Sequence, residues 1–330
     1  MREPDFWSSP SDPRGRLLAP LGALYAWATA RRLARGRRLR LGIPLVCVGN
    51  INAGGTGQTP TVIAIVERLR DMGHVPHVVP RGYGGRLAGP VAVDPAGHRS
   101  VDVGDEPLLL SAFAEVWVAR DRAAGGRAAE AAGATVIVLD DGFQNPALEQ
   151  DLKIVVVDAA RGFGNGRCIP AGPLREPIRT GLARADALVT VGDAAAQERF
   201  AEDVPQDLPR LRARLEPLQT GMDWTGQPYL AFAGIAHPEK FFATLRGLGA
   251  ELVRTVALDD HEPLTPALLT RLERDAGAAG AQLVTTEKDV ARLPRAWRGK
   301  ILTLPVRLQF EDEAAVAGLL RRLGPSALPA

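Results

Sequence analysis

An apolar run, Ile43 to Val48, gives way directly to Gly49-Asn-Ile-Asn-Ala-Gly-Gly-Thr-Gly-Gln-Thr-Pro60, and Thr61 to Met72 then reads as a helix. Strand, glycine loop and helix in that order gather backbone N–H groups and a helix N-terminus around one small volume. Such a volume receives phosphate. A usual nucleotide loop reads G-x-x-x-x-G-K-[ST]. Gly57 and Thr59 fit it, whereas Asn52 holds the first glycine position and Gln58 the lysine position. On pattern alone, a merely tight strand-to-helix turn competes on equal terms.

Thr135-Val-Ile-Val-Leu-Asp140-Asp141-Gly-Phe-Gln144 shifts that balance. A β-branched run ending in acids is what a buried parallel strand delivers at its carboxyl end, where α/β proteins bind ligands. In nucleotide-loop enzymes an acid at this place holds Mg²⁺, directly or through water. Ile154 to Asp158 repeats the pattern as a further strand, and Ala187 to Val191 reads as one more.

Composition excludes several classes. A chain of 330 residues with 46% hydrophobic content supports two domains with real cores. Its formal net charge of +2 carries no general polyanion signal, so nucleic acid is not an expected partner, and nothing points to an obligate protein partner. Two cysteines, Cys47 and Cys168, argue against a disulfide framework or a cysteine zinc site and for a reducing compartment. The four lysines (Lys153, Lys240, Lys288 and Lys300) lie outside the glycine loop, so arginine carries most positive charge.

That charge is concentrated near the start. Residues 1–16 are polar, interrupted by proline and expected to be poorly ordered. Leu17 to Ala30 is apolar and is followed by six arginines between Arg31 and Arg40. As a helix the apolar run spans about 21 Å, short of the roughly 30 Å hydrocarbon core. A core helix is the bland reading. A signal peptide fits poorly, because the charge follows the apolar run instead of preceding it. The favoured reading is an interfacial helix with Tyr25 and Trp27 at headgroup level and arginines on anionic lipid.

Val75 to Val79 reads as a strand ending in Pro80-Arg-Gly-Tyr-Gly-Gly-Arg86, where Arg81 and Arg86 suit phosphate contact or a solvated turn. Asp105 and Glu106 open an apolar helix, a position that helix capping also explains. Gly164 to Pro177 forms a long glycine- and proline-rich loop, and such loops are commonly functional. Residues 193–228 are polar and broken by proline, and are expected to hold the connection between domains. A second α/β unit follows, from Tyr229-Leu-Ala-Phe-Ala-Gly-Ile235 through Asp259-Asp-His-Glu-Pro263 and Thr286-Glu-Lys-Asp289 to a strand at 301–306 and a last helix.

Taken in order, these motifs resemble the tetraacyldisaccharide 4′-kinases of lipid A synthesis. The matching stretches are Val48-Gly-Asn50 with Gly54-Gly-Thr-Gly57, Arg81-Gly-Tyr-Gly84, Gly104-Asp-Glu-Pro107 and Asp140-Asp-Gly-Phe-Gln144. Gly164-Asn-Gly166, Pro170-Ala-Gly-Pro-Leu-Arg-Glu-Pro177, Phe232-Ala-Gly234 and Thr285-Thr-Glu-Lys-Asp289 complete the set. The resemblance implies an α/β fold: a P-loop NTPase-like parallel-sheet domain, a second smaller α/β domain and an N-terminal membrane-interface helix. The expected division is 1–40, 41–217 and 218–330. It further implies ATP and Mg²⁺ as cofactors, a lipid A disaccharide 1-phosphate acceptor, and a place on the cytoplasmic face of the bacterial inner membrane. Three places depart from the family pattern: Gln58 for the loop lysine, Asn145 for the histidine after Asp-Gly-Phe-Gln, and Asp260-His261-Glu262, where the family usually has two successive histidines.

Phosphoryl transfer needs charge neutralisation and in-line positioning more than covalent chemistry. Gly54, Gly55, Thr56, Gly57, Gln58 and Thr59 are assigned to the phosphates, with the Thr59 hydroxyl on Mg²⁺. Asp140 and Asp141 are the metal-organising acids, unranked, and Glu106 is a further metal or acceptor contact. Asp105 is the candidate base, with His261 from the second domain as the group that orients or relays. Arg81 and Arg122 are candidates for phosphate charge. Competing functions are a P-loop ATPase or switch acting on a protein partner, and a weakened or non-catalytic kinase homologue, suggested by Gln58.

Overall fold

The computed structural model describes residues 4–200, 207–260 and 262–324. A short 3₁₀ turn, Asp5–Ser8, leads into α1 (Pro13–Leu17) and α2 (Ala19–Arg35), followed by β1 (Leu45–Gly49), α3 (Gln58–Asp71), β2 (Pro76–Val79) and β3 (Val91–Ala92). Next come α4 (Ser100–Val103), α5 (Asp105–Leu110), β4 (Glu115–Val118), α6 (Arg122–Ala131), β5 (Val136–Asp140) and β6 (Leu152–Asp158). Then follow α7 (Ile178–Leu182), β7 (Ala187–Val191), α8 (Ala194–Phe200) and β8 (Arg210–Pro217). The second half runs β9 (Pro228–Ala233), α9 (Pro238–Gly247), β10 (Glu251–Ala257), α10 (Pro266–Ala278), β11 (Gln282–Thr286) and α11 (Glu287–Ala291). It closes with α12 (Arg295–Arg298), β12 (Leu302–Leu304), β13 (Val306–Phe310) and α13 (Glu313–Leu320).

Nine strands form one sheet in the order β13-β8-β7-β6-β1-β5-β2-β4-β3. From β8 to β4 every pairing is parallel, and an antiparallel strand closes each edge. β1 is buried along its whole length, as expected where helices cover both faces of a parallel sheet. It lies between β5 and β6, so three strand ends converge there: the glycine loop after Gly49, Asp140 after β5 and Asp158 after β6. The sequence runs out to β2 on one side of β1 and later to β6 on the other, the reversal at which open α/β sheets bind ligands.

β10-β9-β11-β12 form a second, wholly parallel sheet. One of its faces packs Tyr229, Phe241, Phe242 and Leu245, the other Phe232, Leu269, Leu272 and Leu293. Here the strand pairing departs from the expected division. The single strand read at 301–306 is two, broken at Pro305, which has no N–H to give a ladder. β12 stays in the second sheet, whereas β13 crosses back to pair antiparallel with β8, Val306 opposite Pro217. The second sheet is therefore an insertion between β8 and β13, and residues 306–324 belong with the first sheet.

Two other expectations are refined. The polar stretch 193–228 does hold the connection, at 218–227, but also α8 and β8, and β8 alternates Leu211 and Ala213 inward with arginines outward. The segment before Leu17 is held in place where it is described. Asn165 donates from its backbone to Trp7 O (2.7 Å), its side chain reaches Phe6 O (3.2 Å), and Trp7 Nε1 donates to Pro170 O (3.1 Å).

Candidate active site

The glycine loop ends at Gly57, which takes a left-handed conformation (φ 85°) and stands as N-cap of α3 with no side chain bonded to the helix end. The first-turn N–H groups of a helix have no intrahelical acceptor, so this end is free to meet an anion. Asn50 Nδ2 holds Thr56 Oγ1 at 3.2 Å and Thr61 Oγ1 reaches back to Gly57 O at 2.9 Å, fixing the loop from both sides. Thr59 is half-buried in that first turn. Gln58 donates from its side-chain amide to Asp140 Oδ1, so loop and strand end are in contact.

Asp140 is buried, and burial first, then Glu106 and Asp141, push its carboxyl up to about 7, while Gln58 and Arg122 oppose the rise. Three acids thus share one region, and the cations around them offset only part of the rise at Asp140. Asp141, the one non-glycine residue with positive φ among those described (φ 54°), is engaged by Arg175. Arg175 also approaches Gln144 Oε1 (3.4 Å), and Gln144 donates to Asn50 O (2.7 Å) and to the buried Glu176 (2.9 Å). Arg184 holds both oxygens of Glu176 at 2.7 and 2.6 Å. The Asp-Asp-Gly-Phe-Gln and Leu-Arg-Glu-Pro stretches are therefore one interlocked wall beside the glycine loop. Arg175 and Glu176 were present in the motif read from sequence, but only contact with Asp141 and Gln144 reveals what they do.

Asp105 and Glu106 open α5. Gly104 before them runs so close to the Arg81-Gly-Tyr-Gly84 loop that a Cβ would stand 2.6 Å from Tyr83 O. That close approach is why glycines occur in both motifs, and it brings the start of α5 against the end of β2. Arg81 lies exposed on this loop, and burial first, with Arg81 adding to it, depresses the pKa of Arg122. Arg86 is paired with Asp102 at 2.8 Å. From the inserted unit, Lys288 Nζ stands 3.5 Å from Glu106 Oε1 and Arg292 Nε 3.9 Å from Asp105 Oδ2. His261 lies outside the described residues.

Arg122 is placed differently from its expected role at phosphate. It is 2% exposed, and its guanidinium donates to the carbonyls of Val79, Asp140 (2.7 Å) and Asp141 (3.3 Å). Such a buried fork ties the ends of β2 and β5 together and commits three of its five N–H donors to the backbone. Its charge still lies behind the acids and partly offsets their repulsion.

The donor set fits a phosphate-borne Mg²⁺ and not an all-protein cage. Among the described residues no three metal-ligating side chains converge on one point. Mg²⁺ in phosphoryl-transfer sites uses one or two carboxylates, with phosphate and water completing its shell. Asp140, with Thr59 in the facing turn and Glu106 nearby, supplies that many, and the upward shift of Asp140 marks a carboxylate that a cation would relieve.

On the second side of the cleft, Ala236 lies against Gly55, within 3.5 Å of where a Cβ would be. Lys240 pairs with Asp158 at 2.6 Å, and Arg161 Nη1 meets His237 Nε2 at 3.1 Å. The inserted unit thus reaches over the glycine loop.

The family described as tetraacyldisaccharide-1-P 4′-kinase matches residues 14–324. The chain is 62% identical over 333 residues to a tetraacyldisaccharide 4′-kinase of Dinoroseobacter shibae, covering 99% of each chain. It is 49% identical to one from Rhodospirillum rubrum, covering 100% of each. Among solved structures, the "apo" form of LpxK from Aquifex aeolicus in complex with ATP superposes with a TM-score of 0.76 at 26% identity. That match covers 94% of this chain and 99% of the other.

Proposed function

This chain belongs to the tetraacyldisaccharide-1-P 4′-kinase family, and from that premise we propose how its residues divide the work. The activity is that of an ATP-dependent kinase: a phosphoryl group passes from ATP to the 4′-hydroxyl of a tetraacyldisaccharide 1-phosphate, a lipid A precursor. The observation that carries the assignment of roles is the uncapped N-terminus of α3, facing Asp140 through Gln58.

Backbone N–H groups of Gly54 to Thr59 bind the β- and γ-phosphates. Mg²⁺, when bound, neutralises phosphate charge. Asp140, Thr59 and Glu106 are its ligands, and Asp141, already engaged by Arg175, orients that arginine toward the transferred group. Arg81 supplies open positive charge at the same end of the sheet. Asp105 takes the proton of the attacking 4′-hydroxyl, and His261 remains assigned as its relay. Glu106 takes the metal role because its charge helps to raise the pKa of Asp140, as a carboxylate sharing that region does.

The acceptor is a lipid, and α2 is suited to receive it from a membrane. Among the described residues no helix is long and apolar enough to cross a bilayer. Leu17, Leu21, Leu24 and Trp27 are nonetheless 81, 53, 59 and 58% exposed, while Gly22 and Thr29 face the protein. We assign this uncovered face to the cytoplasmic surface of the inner membrane. A cavity of about 210 Å³ lined by Ala26, Trp27, Ala30, Leu33, Glu176, Pro177 and Thr180 runs from α2 toward the Arg175 wall and suits an acyl chain.

The test is purified protein with ATP and Mg²⁺, with and without detergent-dispersed tetraacyldisaccharide 1-phosphate. Phosphate on the 4′ position with little acceptor-free hydrolysis is the expected result. Acceptor-independent ATP hydrolysis alone would mark an ATPase and overturn it.

A further inference from the structure

We infer that Arg292 is a positioning residue for this reaction: carried by the inserted unit, it seats the Asp105 carboxylate when the two units meet. The inference rests on Asp105 as the base. It also gives a role to Phe232-Ala-Gly234 and Thr285-Thr-Glu-Lys-Asp289, which the phosphate and metal assignments leave without one.

The Arg292 side chain is only 4% exposed, and both of its terminal nitrogens are committed. Nη1 donates to Glu262 O at 2.6 Å, and Nη2 donates to Gly234 O at 2.8 Å and to the carboxylate of Asp289. Asp289 is fully buried and is itself fixed by Thr286 Oγ1 (2.6 Å) and the Gly234 N–H (3.2 Å). A Cβ on residue 234 would lie 2.3 Å from Nη2, so the guanidinium occupies the space that a side chain there would fill. The glycine of one motif and the aspartate of the other therefore hold one arginine in one orientation.

Nε is the donor left over. It is buried, has no hydrogen-bond acceptor among the described residues, and has Asp105 Oδ2 at 3.9 Å. A buried guanidinium needs a carboxylate, and Asp289 already provides one within the same unit. Folding of the inserted unit gives no reason for a second carboxylate, from the other unit, at Nε. The contact is longer than a hydrogen bond, as catalytic contacts commonly are before substrates draw a site together.

The seam around it repeats the arrangement. α5 packs on α11, and the Lys288 ammonium meets Glu106 (3.5 Å) and Asp260 (3.7 Å). Two cations of the inserted unit thus face two successive acids of α5. Lys288 is a flexible, partly solvated point charge, whereas Arg292 is planar and pinned, so only Arg292 can impose a direction on its acid. The same guanidinium ties down the Glu262 carbonyl, which fixes its plane further.

A double-mutant cycle on the full chain tests this, with kcat and KM for ATP measured for Arg292→Gln, Asp105→Asn and the pair. Arg292→Gln should lower kcat on the order of 10²-fold, the usual cost of a misplaced catalytic group, with KM for ATP within about threefold. Added to Asp105→Asn it should cost less than about threefold more, because the group it positions is gone. Arg292→Lys, which keeps charge but loses the fork, should recover part of the loss. Losses that multiply in the pair, or a kcat for Arg292→Gln within about threefold of wild type, overturn the inference. Near-normal kcat in Asp105→Asn overturns the base assignment instead. If Arg292→Gln does not fold, the cycle is run with Arg292→Lys, where non-additivity is again expected and multiplicative loss is again fatal.

Discussion

Gln58 donates to Asp140 where a lysine would place a full charge beside the phosphates. Loss of one such charge-assisted contact costs about 2–4 kcal/mol of transition-state stabilisation unless another cation replaces it. Arg122 is buried against carbonyls and Arg86 pairs with Asp102, which leaves Arg81 exposed and, among the described residues, without an ion pair at the right end of the sheet. With Arg81 compensating, Gln58→Lys should raise kcat less than about tenfold, since a second cation crowds the first. In an Arg81→Ala background the same change should restore a large part of the lost rate. A gain of several hundredfold from Gln58→Lys alone would show that nothing replaces the lysine. Asp140 gives a second prediction. Its folded pKa lies above its ordinary value, so the folded state binds the proton more tightly. Stability from this group is therefore present below about pH 4 and lost as pH rises through about 7. Without Mg²⁺ and nucleotide, Asp140→Asn should melt at the wild-type temperature near pH 4. It should melt higher above pH 7, by about 1–4 kcal/mol of stability, while losing activity. An equal offset at both pH values would mean that ionisation of Asp140 costs the fold nothing.

Among the elements, α2 has the plainest mismatch between its surface and its surroundings. It packs on the 165–172 loop through Gly22 and leaves leucines and a tryptophan uncovered, with Arg31 stacked over Trp27 at 5.3 Å. Apolar area and arginines together give both terms of interfacial binding. Removing residues 1–40 should sharply weaken flotation with anionic vesicles and leave ATP binding intact. Equal flotation of the truncated and intact chains would sink the interfacial assignment. The glycine loop, Asp140 and the β1–β5–β6 core were legible in sequence because fully buried parallel strands are continuous apolar runs that end where ligands bind. β8 was hidden by Pro205, Pro209 and Pro217, although its Arg-Leu-Arg-Ala alternation carried the signal. Arg122 was misread because nothing local distinguishes an arginine that serves three carbonyls from one that serves phosphate. The loop at Gly164 to Pro177 stood out as long and rich in glycine and proline, but its use as the seat of Phe6 and Trp7 depends on contacts about 160 residues apart in sequence.

Among the described residues, a nine-stranded sheet carries a smaller sheet inserted between β8 and β13, and that topology bears on how catalysis is gated. Val306 lies opposite Pro217 in an antiparallel pair, so the chain leaves the main sheet at one end of a hairpin and returns at the other. β13 and α13 add Leu308, Phe310, Val316, Leu319 and Leu320 to the core around Val62 and Ile65 of α3. At about 1.5–3 kcal/mol for each such side chain, this burial rivals the 5–15 kcal/mol by which a domain is stable. Ending the chain at residue 305 should therefore unfold the nucleotide unit, even though its sequence motifs all remain. Replacing 218–305 with Asn-Gly, the favoured two-residue hairpin turn, should instead leave that unit folded. The excised protein should still bind ATP, because the glycine loop, Asp140 and Asp141 stay in place. Its affinity should be lower, since Ala236 no longer covers Gly55 and Lys240 no longer meets Asp158. Phosphoryl transfer should fall by at least about 10³-fold, because Arg292 and His261 are lost together and closure can no longer exclude water. Calorimetric ATP binding and a melting curve on both shortened chains decide the matter. A folded chain ending at 305 beside an unfolded excised one would show that the inserted unit, and not β13, completes the nucleotide core.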